Sequence, residues 1–187
     1  MKRVILVHRW SGGGADDWRP WLKSELEKLG FEVFSPTMPN VEEPVIEEWV
    51  NYLRGIVGEA DSETYFIGHS IGCQTILRYL ETLDKSVGGA VFVAGWFKLA
   101  NLEDEEVRKI AEPWMNAPID KEKVKRVLPK STLIISDNDP YNCFEENMRG
   151  FEDIVTKTVV VPGGGHFTED DGFKEFPKLL EEFKELV

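Results

Sequence analysis

Ser70 stands between two glycines, in Gly68-His69-Ser70-Ile71-Gly72, and its hydroxyl is a candidate nucleophile for acyl transfer. The apolar run Tyr65-Phe66-Ile67 ahead of it reads as a buried strand. Ile71–Leu83 reads as a helix through Ile76, Leu77 and Leu80. A serine on so tight a strand-to-helix turn matches a nucleophile elbow, which holds the hydroxyl exposed above a sheet edge. Gly68 and Gly72 must lack side chains for the turn to close. The helix that follows aims its first N–H groups at the hydroxyl, where an anion would be stabilised. Ordinary strand–helix turns also produce Gly-x-Ser-x-Gly, so the flanking elements carry the reading rather than the pentapeptide.

A serine alone is a poor nucleophile and needs a base, which in turn needs an orienting acid. Behind such an elbow the partners follow in the order Ser, Asp or Glu, His. The chain has three histidines, His8, His69 and His166. His166 follows the last β-rich run in Pro162-Gly163-Gly164-Gly165-His166, where three glycines make either a mobile or a tightly turned loop. His8 ends the first strand and His69 lies inside the elbow, so both are expected to support backbone. The acid comes from Thr132-Leu133-Ile134-Ile135-Ser136-Asp137-Asn138-Asp139, a strand running into a polar turn. Asp137 and Asp139 both remain candidates, and either could cap a following helix. The position deeper in the loop favours Asp139. Glu169, Asp170 and Asp171 read as solvated charge or a helix start.

Those groups must be held by a scaffold, and the pattern supplies one. Strands are expected at Val4–His8, Phe31–Phe34, Thr64–Ile67, Ala90–Ala94, Thr132–Ile135 and Lys157–Val161. Helices are expected at Trp18–Leu29, stopped by Gly30, at Val45–Ile56, and at Phe173–Leu186 with Pro177 tolerable only near its first turn. Alternating β and α units imply a mostly parallel sheet covered on both faces, an α/β fold. Between Trp96 and Lys130 the alternation breaks. This insert holds a helix-like Glu103–Ile110, then Pro113-Trp114-Met115, Pro118 and Lys121–Val127. Excursions at the C-terminal strand ends often overhang the ligand crevice. Trp96, Phe97, Trp114 and Met115 could therefore line an apolar acyl or alcohol pocket, or simply fasten the insert to the core.

Composition narrows the class. The 187 residues, 42% hydrophobic and 30% charged, suit one globular domain over 1–187, and the formal charge of −12 argues against nucleic acid and anionic membrane partners. No apolar run is long enough to cross a bilayer. The apolar start, Val4-Ile5-Leu6-Val7, is too short for a signal peptide and lacks a cleavage site, which places the chain in the cytoplasm. Cys73 and Cys143 have neither metal nor redox spacing and read as reduced structural thiols. No metal or organic cofactor is expected.

The chain resembles the small, lid-poor α/β hydrolases of the YdeN-like and retinoblastoma-binding protein 9-like family, nearly end to end. The resemblance is carried by Ile5-Leu6-Val7-His8, Asp17-Trp18-Arg19-Pro20-Trp21-Leu22-Lys23 and Met38-Pro39-Asn40, and by Gly68-His69-Ser70-Ile71-Gly72-Cys73 with Ile76-Leu77-Arg78-Tyr79-Leu80-Glu81. It ends in Gly164-Gly165-His166-Phe167 with Glu169-Asp170 and Gly172-Phe173. It implies a Ser-Asp-His triad whose acid corresponds to Asp139, although Asn142-Cys143 stands where a Val-Pro pair is usual, so Asp137 stays in reserve. No Leu-x-Cys-x-Glu sequence is present, and the retinoblastoma-binding role does not carry over.

One departure touches mechanism. The family's first strand usually ends His-Gly, whereas here it ends His8-Arg9-Trp10. The oxyanion hole would take one N–H from Ile71, after the nucleophile, and one from this loop, by position Trp10. Arg9 could recognise an anionic substrate group, or pair with Asp16 or Asp17 at the surface. The expected function is a serine hydrolase of small carboxylic esters acting through an acyl-enzyme. Thioesterase or amidase activity on the same residues is the alternative, and a non-catalytic binding protein on a hydrolase scaffold is the rival from another class. The substrate is a small-molecule ester or amide, and the sequence is silent on oligomeric state.

Overall fold

The computed structural model describes residues 1–187. Six parallel strands form one sheet in the order β2-β1-β3-β4-β5-β6. They are β1 (Arg3–Val7), β2 (Glu32–Phe34), β3 (Thr64–His69), β4 (Gly89–Val93), β5 (Ser131–Ser136) and β6 (Lys157–Val161). Seven helices connect and cover them: α1 (Arg19–Lys28), α2 (Ile46–Val57), α3 (Ile71–Leu80), α4 (Glu105–Asn116), α5 (Lys121–Val127), α6 (Phe144–Glu152) and α7 (Pro177–Leu186).

Strand periodicity sorts the core into two layers. Ile5, Val7, Phe66, Phe92, Leu133 and Ile135 face one way, onto α2, α3, α5 and α6. Val4, Leu6, Tyr65, Ile67, Val91 and Ile134 face the other, onto α1 and α7. Successive side chains of a strand point to opposite faces, so a sheet covered on both sides must be apolar at every position. β3 and β5 are accordingly buried throughout. Each such side chain contributes about 1.5–3 kcal/mol on burial. All six strands run the same way, so their C-terminal ends share one edge. Ser70, Asp139 and His166 all come from segments at that edge.

The helices differ from the pattern in four places. α3 stops at Leu80 rather than Leu83, as the chain turns through Glu81. The helix expected over Glu103–Ile110 starts behind an Asp104 cap, which accepts the Glu106 and Val107 amides, and runs through Pro113 to Asn116. Pro113 forfeits one backbone bond there. Trp114 and Ala111, both buried, anchor the turn and offset that loss. α6 was not expected at all, although Phe144, Met148 and Phe151 lie at helical spacing and Phe151 reaches the core. The last helix begins at Pro177 instead of Phe173. The preceding phenylalanines are used otherwise: Phe176 stacks on Phe167 at 5.2 Å and Phe173 meets the same ring edge-on at 5.1 Å.

Two buried histidines make the fold acid-sensitive. His8 accepts the Met38 amide at Nε2 (2.8 Å) and donates from Nδ1 to the Arg9 carbonyl (2.6 Å), which fixes it neutral. Burial lowers its pKa to about 4. His69 is also buried and held well below the usual range, by burial first and then by His166 and Arg19. A histidine whose folded pKa lies below its unfolded value stabilises fully above about pH 6.5 and progressively less as pH falls toward the folded value. At pH 5 the expected loss from His8 is about 2 kcal/mol relative to pH 7.5, with His69 adding in the same direction, read as a lower urea midpoint. An unchanged midpoint between pH 7.5 and 5 would show that neither ring is held neutral.

Candidate active site

The elbow has the strain its sequence predicts. Ser70 lies at φ 56°, ψ −121°, between the last residue of β3 and the first of α3. A non-glycine residue in that region costs about 1–3 kcal/mol, so the surroundings must enforce it. They do so by close contact. A Cβ on Gly72 would lie 2.4 Å from the Val7 carbonyl oxygen, and one on Gly68 would lie 2.8 Å from the Cys73 amide nitrogen. The Ser70 amide donates to Val93 O at 2.8 Å, tying the turn to β4. Cys73 is buried beneath it and donates its thiol to the same carbonyl at 3.3 Å.

His166 is carried by a turned loop anchored at nearly every residue. The Gly163 amide donates to Asp137 Oδ1 (2.9 Å), that of Gly165 to Asn138 Oδ1 (2.8 Å) and that of His166 to Asp171 Oδ2 (2.9 Å). The His166 carbonyl accepts from His69 Nε2 at 2.7 Å. The Phe167 carbonyl accepts from the Trp18 indole at 3.1 Å, and the Glu169 amide donates to Asp17 Oδ1 at 3.0 Å. Of the two loop conformations open from sequence, the tightly turned one is observed. His166 Nδ1 meets Asp139 Oδ2 at 2.7 Å, and the other Asp139 oxygen accepts the Tyr141 amide at 2.9 Å. Asp137 is turned to the glycine loop instead.

Asp17 is the hub beneath this arrangement. Its Oδ2 meets Arg9 Nε at 3.0 Å and an Arg19 terminal nitrogen at 3.1 Å. Burial alone would raise its pKa, but the Glu169 amide and the two guanidiniums outweigh that and hold it below the usual carboxylate range. Arg19, also buried, approaches His69 Nδ1 at 3.4 Å. Since His69 must donate from Nε2 to the His166 carbonyl, its Nδ1 is the lone-pair side that faces Arg19. Asp17-Trp18-Arg19 thus fastens the first loop to the histidine loop. The Arg9–Asp17 pair was one of the sequence readings; the link to the histidine loop was not, nor was the role of Asp171, which read as solvated charge or a helix start.

Ser70 and His166 line one cleft of about 720 Å³, with Arg9, Trp10, Trp96 and Tyr141. The α4 residues Val107 and Ile110, with Leu99 and Leu102, form its apolar wall. The Ser70 hydroxyl accepts the Trp96 indole N–H at 3.2 Å and makes no hydrogen bond to His166. Ile71 opens α3 beside it.

Of the four insert residues expected to line the pocket, only Trp96 does. Trp114 is buried against Trp49, donates to the Pro44 carbonyl at 2.9 Å and lies under Arg78. Phe97 packs on Phe151 at 4.9 Å beneath the Lys121 ammonium. Met115 packs against the same core. These three fasten the insert to the body because their large apolar area finds the existing core. α4 presents smaller residues to the cleft. Arg78 reinforces the attachment, donating to the Trp114, Ala117 and Pro118 carbonyls. Arg9 pairs with Asp17, as one of its two sequence readings had it, and shares that carboxylate with Arg19.

No group of three or more His, Cys, Asp or Glu is arranged to hold a metal ion, and no helix is long and apolar enough to cross a membrane.

Comparison with known proteins places the chain in a family. YdeN of Bacillus subtilis (strain 168) is 30% identical over 179 residues, 94% of this chain and 91% of the relative. Its crystal structure superposes with a TM-score of 0.90 at 27% identity, covering 100% of this chain and 98% of the other. The serine hydrolase RBBP9 of Rattus norvegicus is 26% identical over 181 residues, 95% of this chain and 91% of the relative. The family model described as serine hydrolase matches residues 4–185, and the chain belongs to that family, on an α/β-hydrolase fold.

Proposed function

We propose that the chain hydrolyses small, uncharged carboxylic esters through Ser70, with His166 as base and Asp139 as its orienting acid. The observation that carries this reading is the buried 2.7 Å contact between His166 Nδ1 and Asp139 Oδ2, above the cleft that Ser70 also lines. In the proposed reaction Ser70 Oγ attacks the ester carbonyl while His166 Nε2 takes its proton. Asp139 keeps the Nδ1–H tautomer and stabilises the imidazolium. The alcohol leaves with that proton, and water repeats the sequence on the acyl-enzyme. The Ile71 and Trp10 amides are the proposed oxyanion donors. Such a donor is typically worth about 3 kcal/mol.

The cleft's charge favours esters over acyl-CoA thioesters. Glu42, Glu43, Asp104, Glu106, Asp170 and Asp171 line it. Its guanidinium, Arg9, is already paired with Asp17. Six carboxylates against one arginine, which shares its Asp17 partner with Arg19, disfavour a substrate rich in phosphate. Acetate and butyrate esters of p-nitrophenol should be turned over with kcat/KM at least about tenfold above acetyl-CoA or a succinate half-ester, a difference of about 1.4 kcal/mol. Equal or greater activity on acetyl-CoA would displace the ester reading in favour of a thioesterase, and equal or greater activity on the succinate half-ester would overturn the preference for uncharged esters.

A further inference from the structure

Five indoles donate hydrogen bonds in this protein. Those of Trp10, Trp18, Trp49 and Trp114 go to backbone carbonyls. The fifth, Trp96, donates to a side chain, and that side chain is Ser70. Both groups are buried, Trp96 at 1% and Ser70 at 6% exposure. The placement is built. Ala94, directly after β4, lies at φ 48°, and a Cβ on Gly95 would lie 2.5 Å from the Phe151 ring. Gln74 of α3 holds the Trp96 carbonyl at 3.1 Å. An indole has a single donor and no acceptor, and leaving that donor unpaired in a buried site costs about 1–3 kcal/mol. Its hydrogen bond to Ser70 is therefore retained for as long as the oxygen presents a lone pair.

We infer that the Trp96 indole N–H is a catalytic hydrogen-bond donor to Ser70 Oγ, stabilising that oxygen whenever it carries developing negative charge. The inference rests on Ser70 being the nucleophile. During attack, one Oγ lone pair forms the bond to the acyl carbon, the carbonyl π pair moves to the acyl oxygen, and the hydroxyl proton passes to His166. A second lone pair stays on the indole throughout. During deacylation, water adds to the acyl carbon and gives a proton to His166. The C–Oγ bond pair then returns to Oγ, which recovers a proton from His166. In both steps charge passes through Oγ, and the indole N–H faces it. Because the indole does not titrate, its loss lowers the pH–rate profile without changing its shape.

The test is Trp96→Phe, which keeps an aromatic ring and deletes the donor. Labelling by a fluorophosphonate probe and kcat for p-nitrophenyl acetate should each fall about tenfold, with KM and the pH midpoints unchanged. Unchanged or faster labelling in the variant would overturn the inference, since the indole would then be a spectator or a restraint. A second measurement uses a protein with the indole intact. In ¹H–¹⁵N spectra of ¹⁵N-Trp-labelled protein, one of the six indole resonances should move upfield and exchange faster in Ser70→Ala. If none moves, the hydrogen bond does not exist in solution. Failure of the underlying reading looks different: Ser70→Ala would itself retain labelling and turnover.

Discussion

Replacing Ser70 by alanine is expected to lower turnover by about 10⁶-fold, leaving only the residual rate that the oxyanion donors and binding supply. The substitution should leave the fold intact. Alanine deletes one oxygen, whose partner is the Trp96 indole. The strained φ of 56° is enforced by Gly68, Gly72 and the Ser70 amide bond to Val93, none of which the side chain provides. Circular dichroism should therefore match the parent, and the urea midpoint should fall by no more than the cost of the unpaired Trp96 donor, about 1–3 kcal/mol, while ester hydrolysis is lost. Activity within tenfold of the parent would move the nucleophile elsewhere.

Asp139→Asn is expected to lower kcat by about 10⁴-fold, whereas Asp137→Asn should stay within about threefold, since exposed substitutions of this kind are near neutral. The contrast follows from what each carboxylate holds. In Asp139 one oxygen accepts the Tyr141 amide and the other faces His166 Nδ1. The Tyr141 N–H will keep the asparagine oxygen, leaving the NH₂ to face the imidazole. Nδ1 must then accept, the ring proton moves to Nε2, and the atom that should take the Ser70 proton is already occupied. Asp137 accepts only the Gly163 amide, at 2.9 Å. An asparagine oxygen accepts it equally well. Steady-state kinetics on p-nitrophenyl acetate decide the matter, and the opposite ranking would make Asp137 the orienting acid.

What could be read from the chain and what could not divide along physical lines. The strands were legible because a sheet covered on both faces demands apolar runs such as Tyr65-Phe66-Ile67 and Leu133-Ile134-Ile135. The elbow was legible because Gly68 and Gly72 answer to local sterics, a Cβ on either meeting backbone at 2.8 Å or less. Both α4 and the cleft lining depended on tertiary choices. Pro113 inside a helix is tolerated only because Trp114 and Ala111 are buried beside it. Trp114, Phe97 and Met115 went to the core because nothing in their own sequence says which apolar surface they will meet. The polar supports were the least visible. His69 was expected to support backbone and does so at the His166 carbonyl, but Asp17 and Asp171 act on residues far along the chain or on backbone groups that carry no sequence signature. The one usable signal was Asp17-Trp18-Arg19, a charged pair flanking a tryptophan ahead of a helix, whose partners lie in the histidine loop.

Covalent capture reaches the central claim most directly. Incubated with a fluorophosphonate, the protein should gain a single adduct, and peptide mass spectrometry should place it on Ser70. Capture should be lost in Ser70→Ala and strongly slowed in His166→Ala, with the folded state retained. A well-folded protein that gains no adduct, or gains one on another serine while Ser70 stays free, would contradict the account.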